Sequence, residues 1–287
     1  MSLLYDALCR SEQEQKTEKP VLELAPPLVQ AQATKELVPQ EQAAIVWGDI
    51  VSFRPLLHEK SRVVALGEEG SLAAEKFRVL RHRIRHQREQ RPLKRIVVTS
   101  AIPGEGKTMV SINLGLSLAQ DTAERVLLIE GDLRKPTFAN CLGMQDFPGL
   151  GEWFRSPDAA TKFLHHLYPS QLWLLPAGAV PENPDGILQS ARFLALYKQL
   201  AQAFDWILID APPLLPMADA SFWSQQADGL LLVVRAGKTP RKILEKGLAV
   251  LDNPQIVGIV LNEAQGAESS YYEHYYPKGA HRRATTS

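Results

Sequence analysis

The chain has 287 residues, 45% hydrophobic and 22% charged, with 32 basic against 32 acidic side chains. That length accommodates one α/β domain of roughly 200 residues with flanking segments, and the charge balance removes any general electrostatic attraction to nucleic acid or anionic lipid. Cys9 and Cys141 lie far apart without metal-ligand spacing, so neither a disulfide framework nor a zinc site is expected and a reducing cytoplasm fits best.

No apolar run reaches the about 20 residues of a membrane span, and Met1-Ser2-Leu3-Leu4-Tyr5-Asp6 lacks the basic and apolar regions of a signal peptide. Residues 2–16 read as a short helix, with Leu4 and Leu8 four apart and Ser2 as N-cap. Beyond it, a composition rich in Gln, Glu, Lys and Pro buries too little apolar surface to offset chain entropy, so 1–60 is expected to be this helix and a flexible linker. The core domain is expected over 61–265. It opens with a helix from Leu72, where Ala73, Phe77, Leu80 and Ile84 recur at helical spacing and Glu75, Arg78 and Arg81 share another face.

Arg95 to Ser100 is a buried-strand pattern, followed by a Gly loop and a helix from Thr108 to Gln120. Further continuous apolar runs follow at 126–129, 172–175, 206–209, 230–234 and 256–261, mostly with helical segments between them. Such alternation predicts an α/β fold, a mainly parallel sheet flanked by helices on both faces.

The segment Ala101-Ile102-Pro103-Gly104-Glu105-Gly106-Lys107-Thr108 fits a phosphate-binding P-loop, with Ala101 in place of the usual first glycine. Gly104 and Gly106 let backbone N–H groups turn toward phosphate, Lys107 can reach the β- and γ-phosphates, and the Thr108 hydroxyl can hold Mg²⁺. The nucleotide site is therefore assigned to Pro103 through Met109. Acids at strand ends in such a sheet converge on the ligand crevice. Two segments qualify, Glu130-Gly131-Asp132-Leu133-Arg134 and Asp210-Ala211-Pro212-Pro213, the second resembling a Walker B metal-binding segment.

With these residues in place, the chain resembles the bacterial tyrosine kinases, P-loop kinases related to the ParA/MinD ATPases. The resemblance rests on Ser100 to Thr108, on Glu130 to Arg134, on Asp210-Ala211-Pro212 and on Glu75-x-x-Arg78-x-x-Arg81, and it spans roughly 61–265 plus the tail. It implies a P-loop NTPase fold, ATP and Mg²⁺ as cofactors, and catalytic roles for Lys107, Glu130, Asp132, Arg134 and Asp210, with Thr108, Asp132 and Asp210 at the metal. Where the family has aspartate this chain has Glu130, whose carboxylate sits about one methylene further out, a shift on the scale of 1 Å. The resemblance also implies that Asn262 contacts adenine and that Glu75, Arg78 and Arg81 make subunit contacts in a homo-oligomeric ring. A separate membrane-bound activator of the polysaccharide chain-length type would recruit a cytoplasmic kinase to the inner face of the membrane for exopolysaccharide synthesis and export, opposed by a phosphatase.

Four of the seven tyrosines, Tyr271, Tyr272, Tyr275 and Tyr276, fall after the last expected strand, in a segment (266–287) without helical or strand period. A flexible tail whose tyrosines accept phosphate, each adding about −1.5 to −2 charge, explains the clustering; an aromatic patch that docks the terminus would also explain it. Two other functions use the same loop and acids: a ParA/MinD-like ATPase, and an ATP-sensing assembly subunit without tyrosine transfer.

Overall fold

The computed structural model describes residues 45, 47–55, 62–64, 71–145, 147–156, 158–215, 219–252 and 254–264. The short helix expected at 2–16 and the tyrosine tail at 266–287 lie outside them.

Eight strands form one sheet: β1 (Val51–Phe53), β2 (Arg95–Ser100), β3 (Val126–Glu130), β4 (His165–Leu167), β5 (Leu172–Leu175), β6 (Trp206–Asp210), β7 (Gly229–Arg235) and β8 (Ile256–Asn262). Their order is β1-β4-β5-β3-β6-β2-β7-β8. Every pairing is parallel except β4 with β5. Helices cover both faces because the strands alternate side chains between two cores. Val97, Leu127, Ile129, Ile207 and Ile209 point into one core; Ile96, Val98, Leu128, Leu208 and Leu231 point into the other.

The second core is closed by α1 (Leu72–Gln90), α2 (Lys107–Leu118) and α3 (Phe138–Leu142). Ser71 starts α1 by accepting a hydrogen bond from the Ala74 N–H at 3.1 Å, as an N-cap serine should. The first core is closed by α4 (Leu150–Arg155), α5 (Pro184–Leu188), α6 (Ala191–Ala203), α7 (Asp219–Gln225) and α8 (Arg241–Leu248). There Trp223, fully buried, meets Phe193 edge-on at 5.7 Å and donates its indole N–H to the Gly131 carbonyl. Large fully buried side chains of this kind each contribute about 1.5–3 kcal/mol.

Composition places 1–60 in the helix and linker, yet 51–53 form a strand of the sheet, preceded by a 3-10 turn at Trp47–Asp49. β1 pairs with β4, Trp47 packs edge-on against Trp173 and Phe204 at 5.5 and 5.4 Å, and Arg125 lies 4.4 Å over the Trp47 ring. Ile45, Ile50 and Phe53 add apolar contacts. A few aromatic and β-branched residues outweigh the polar composition around them, because each packs on a preformed core.

His165 in β4 is 2% exposed; its Nε2 lies 2.8 Å from the Pro148 carbonyl while Nδ1 is buried with no hydrogen-bond partner among the described residues. Burial lowers its pKa below 6.5, and the Pro148 bond only partly offsets this. The unfolded chain therefore binds the proton more readily than the folded one. The stability tied to neutral His165 is complete above about pH 6.5 and drains away as pH falls below it. Urea midpoints at pH 7.5 and 5.5 should show a larger acid loss in wild type than in His165→Gln, which keeps a donor for Pro148 but has no titratable ring.

Candidate active site

The P-loop joins β2 to α2. Its shape needs left-handed backbone at Gly104 (φ 81°) and Gly106 (φ 91°), a region that costs other residues about 1–2 kcal/mol. Gly106 is the N-cap of α2 and has no side chain to cap it, so the first turn of the helix faces the loop with its N–H groups and the positive end of its dipole.

Glu105, at the loop's centre, does not point to solvent. It is 2% exposed, and its carboxylate accepts from the Ile102 N–H at 3.1 Å, the Arg235 N–H at 3.3 Å and the Thr239 hydroxyl. Its carbonyl accepts from the Asn262 amide at 2.8 Å. Asn262, expected at adenine, thus also braces the loop from the end of β8. A Cβ on Gly106 would clash with Asn262 Nδ2.

Three acids converge where β3 and β6 end side by side, with Glu130 and Asp210 opposite one another in register. Asp210 is fully buried and accepts from the Thr108 hydroxyl at 2.6 Å and the Ser111 hydroxyl at 3.2 Å. Burial pushes its carboxyl above the ordinary range, and Lys107 with the two hydroxyls pulls it back. Asp132 forms an ion pair with Lys107 at 3.3 Å and accepts from the Lys135 N–H at 3.1 Å.

Glu130, 2% exposed, has both oxygens committed to backbone N–H groups. Thr137 and Phe138 donate to Oε1, the latter at 2.7 Å, and Ala177 to Oε2 at 2.9 Å. Burial raises its pKa, against the pull of those donors.

Arg134 is engaged by two carboxylates: Asp219 accepts from its Nε at 3.0 Å and Asp185 from its Nη2 at 2.9 Å. Of the family's charged face on α1, Glu75 pairs with Arg78 at 2.8 Å, and Arg81 donates to the Ser117 carbonyl and the Gln120 amide oxygen, both at 2.7 Å. Such partly exposed pairs contribute little to stability.

The fold thus brings together Lys107, Thr108, Asp132 and Asp210, the expected core of the site. Ser111 and Thr137 were missed. Ser111 is one helical turn beyond Lys107 on the inward face of α2, and Thr137 follows Pro136 just before an apolar run, a helix-start signature. Among the described residues no cluster of three or more His, Cys, Asp or Glu surrounds a metal position. The hard oxygen donors Thr108 and Asp210 fit Mg²⁺, which prefers one or two protein oxygens with water and phosphate.

A β2–P-loop–α2 unit followed by strand-end carboxylates in a parallel sheet defines a P-loop NTPase. Residues 93–256 match the family described as cellulose biosynthesis protein BcsQ. The tyrosine-protein kinase YwqD of Bacillus subtilis (strain 168) is 32% identical over 218 residues, covering 75% of this chain and 92% of that one. The kinase domain of VpsO superposes with a TM-score of 0.62 at 31% identity, over 68% of this chain and 97% of that domain. The chimerical protein CapA2B2 gives 0.67 at 26% identity, over 76% and 94%. The chain belongs to the bacterial tyrosine kinase family, and its enzyme class is protein-tyrosine kinase.

Gly106→Ala should lower the urea midpoint, consistent with a loss of about 1–2 kcal/mol from the left-handed backbone alone, and weaken nucleotide binding. An unchanged midpoint and affinity would mean that loop geometry and the Asn262 contact are not limiting.

Proposed function

We propose that the chain transfers the γ-phosphoryl group of ATP to tyrosine hydroxyls, its own Tyr271, Tyr272, Tyr275 and Tyr276 among them. The observation that carries this reading is the Lys107–Asp132 ion pair beside the Thr108–Asp210 hydrogen bond at the start of α2. It unites a phosphate-binding cation, a metal-binding hydroxyl and a carboxylate able to take a proton.

The P-loop N–H groups and Lys107 bind the β- and γ-phosphates, and Asn262 lies on the side where adenine is expected. Thr108, Asp210 and Asp132 would hold Mg²⁺, which when bound would screen the phosphate charge. In the transfer the phenolic oxygen bonds to Pγ, the bond from Pγ to the β,γ-bridging oxygen breaks, and ADP leaves. Asp132 accepts the phenolic proton. With Glu130 occupied by backbone donors, Asp132 is the acid best disposed for that task. Arg134 acts through Asp185 in α5 and Asp219 in α7. Most of the acceleration comes from positioning and electrostatics.

The catalytic domain on this reading begins near residue 45 and ends near 265, with the tail as substrate in trans within a homo-oligomer built on Glu75, Arg78 and Arg81. The wider setting follows the family resemblance: a cytoplasmic enzyme docked to a membrane-bound activator, reversed by a phosphatase and serving exopolysaccharide synthesis. Among the described residues no helix is long and apolar enough to cross a membrane.

With labelled ATP and Mg²⁺, wild type should acquire phosphotyrosine in 271–276, Lys107→Met should acquire none, and Phe at all four positions should remove most of the label. Full labelling of Lys107→Met, or label confined outside the tail, would overturn the reading.

A further inference from the structure

Helix α3 begins in an unusual way. Its N-cap is Thr137, a residue type that ordinarily caps with its own hydroxyl, but that hydroxyl makes no capping bond. Glu130 caps in its place: Oε1 takes the Thr137 and Phe138 N–H groups while Oε2 ties the same carboxylate to Ala177 beyond β5. Released from capping, the Thr137 hydroxyl turns to the P-loop and donates to Thr108 Oγ1 at 3.2 Å. Thr108 in turn donates its hydroxyl hydrogen bond to Asp210 at 2.6 Å. The three groups form a directed chain from Thr137 through Thr108 to Asp210.

We propose that Thr137 is a positioning residue for the metal-binding hydroxyl of Thr108, and that Glu130 acts by setting Thr137 rather than by touching substrate. A hydroxyl oxygen has two lone pairs and one proton. With the proton given to Asp210 and one lone pair engaged by Thr137, the remaining lone pair of Thr108 has a fixed direction, the one it presents to a cation. The glutamate in place of the family's aspartate fits this role. Its one carboxylate joins the start of α3 to Ala177 beyond β5. Buried networks of this kind gain from mutual polarisation and lose disproportionately when one member is removed.

The inference rests on the nucleotide and metal reading of the site, and one titration separates the two. Binding of a fluorescent ADP analogue to the full chain is measured in EDTA and against Mg²⁺. Binding in EDTA reports the P-loop reading; the Mg²⁺ concentration at half-maximal enhancement reports this one. In Thr137→Val, which keeps the N–H that Glu130 needs, half-saturation should rise about three- to tenfold, the effect of one lost hydrogen bond, with EDTA affinity unchanged. Thr137→Ser should restore the wild-type value. Glu130→Asp should shift half-saturation in the same direction, and the double variant should be no worse than Thr137→Val alone, as expected for residues acting through one path. An unchanged Mg²⁺ dependence in Thr137→Val, or an equal loss in EDTA, overturns the proposal. So does additivity in the double variant.

Discussion

Burying carboxylates beside a phosphate-binding loop is the constraint from which the rest of this site is built. Glu130, Asp132 and Asp210 stand at neighbouring strand ends and are at most 7% exposed. Taking an ionised group out of water costs several kcal/mol unless donors replace the solvent. The protein meets that cost in three ways: two hydroxyls for Asp210, a lysine and one N–H for Asp132, and three backbone N–H groups for Glu130. Each solution recruits a different element. Asp210 holds the start of α2, Asp132 holds the P-loop lysine, and Glu130 holds the start of α3 and the end of β5.

The same principle extends to Glu105. A carboxylate buried inside the loop it helps to shape must find donors, and it finds them at Ile102, at the last residue of β7 and in the turn beyond it. The P-loop is therefore held from three sides, by β2 behind it, by the β7–α8 turn through Glu105 and by β8 through Asn262. An ion pair of Glu263 with Arg235, and another with Arg62, close that side further. Glu263 itself takes a positive φ of 54°, a conformation that costs a non-glycine residue energy and that its ion pairs help to hold.

Where sequence alone sufficed, the signal was periodic. Continuous apolar runs such as Val126 to Ile129 and Trp206 to Ile209 became fully buried strands, and the glycine spacing of the P-loop located the turn that its backbone makes. Two short strands escaped that logic. β1 and β4 have three residues each, too few to display a period, and β1 sits inside a segment whose average composition is polar. Side-chain partners were the other blind spot. Position at a strand end marks Glu130 as a candidate for chemistry, but its donors come from residues seven, eight and 47 positions away, and no local pattern encodes that meeting. Arg134 likewise finds Asp185 and Asp219, 51 and 85 positions along the chain.

The brace between Asn262 and the P-loop joins residues 157 positions apart. At about 5–20 residues per second on a ribosome, that separation amounts to roughly ten to thirty seconds during which the loop exists without its final support. The phosphate cradle is among the first parts of the domain to be made, and the amide that steadies it is among the last. A half-made chain thus has a P-loop in sequence before it has the contact that braces it.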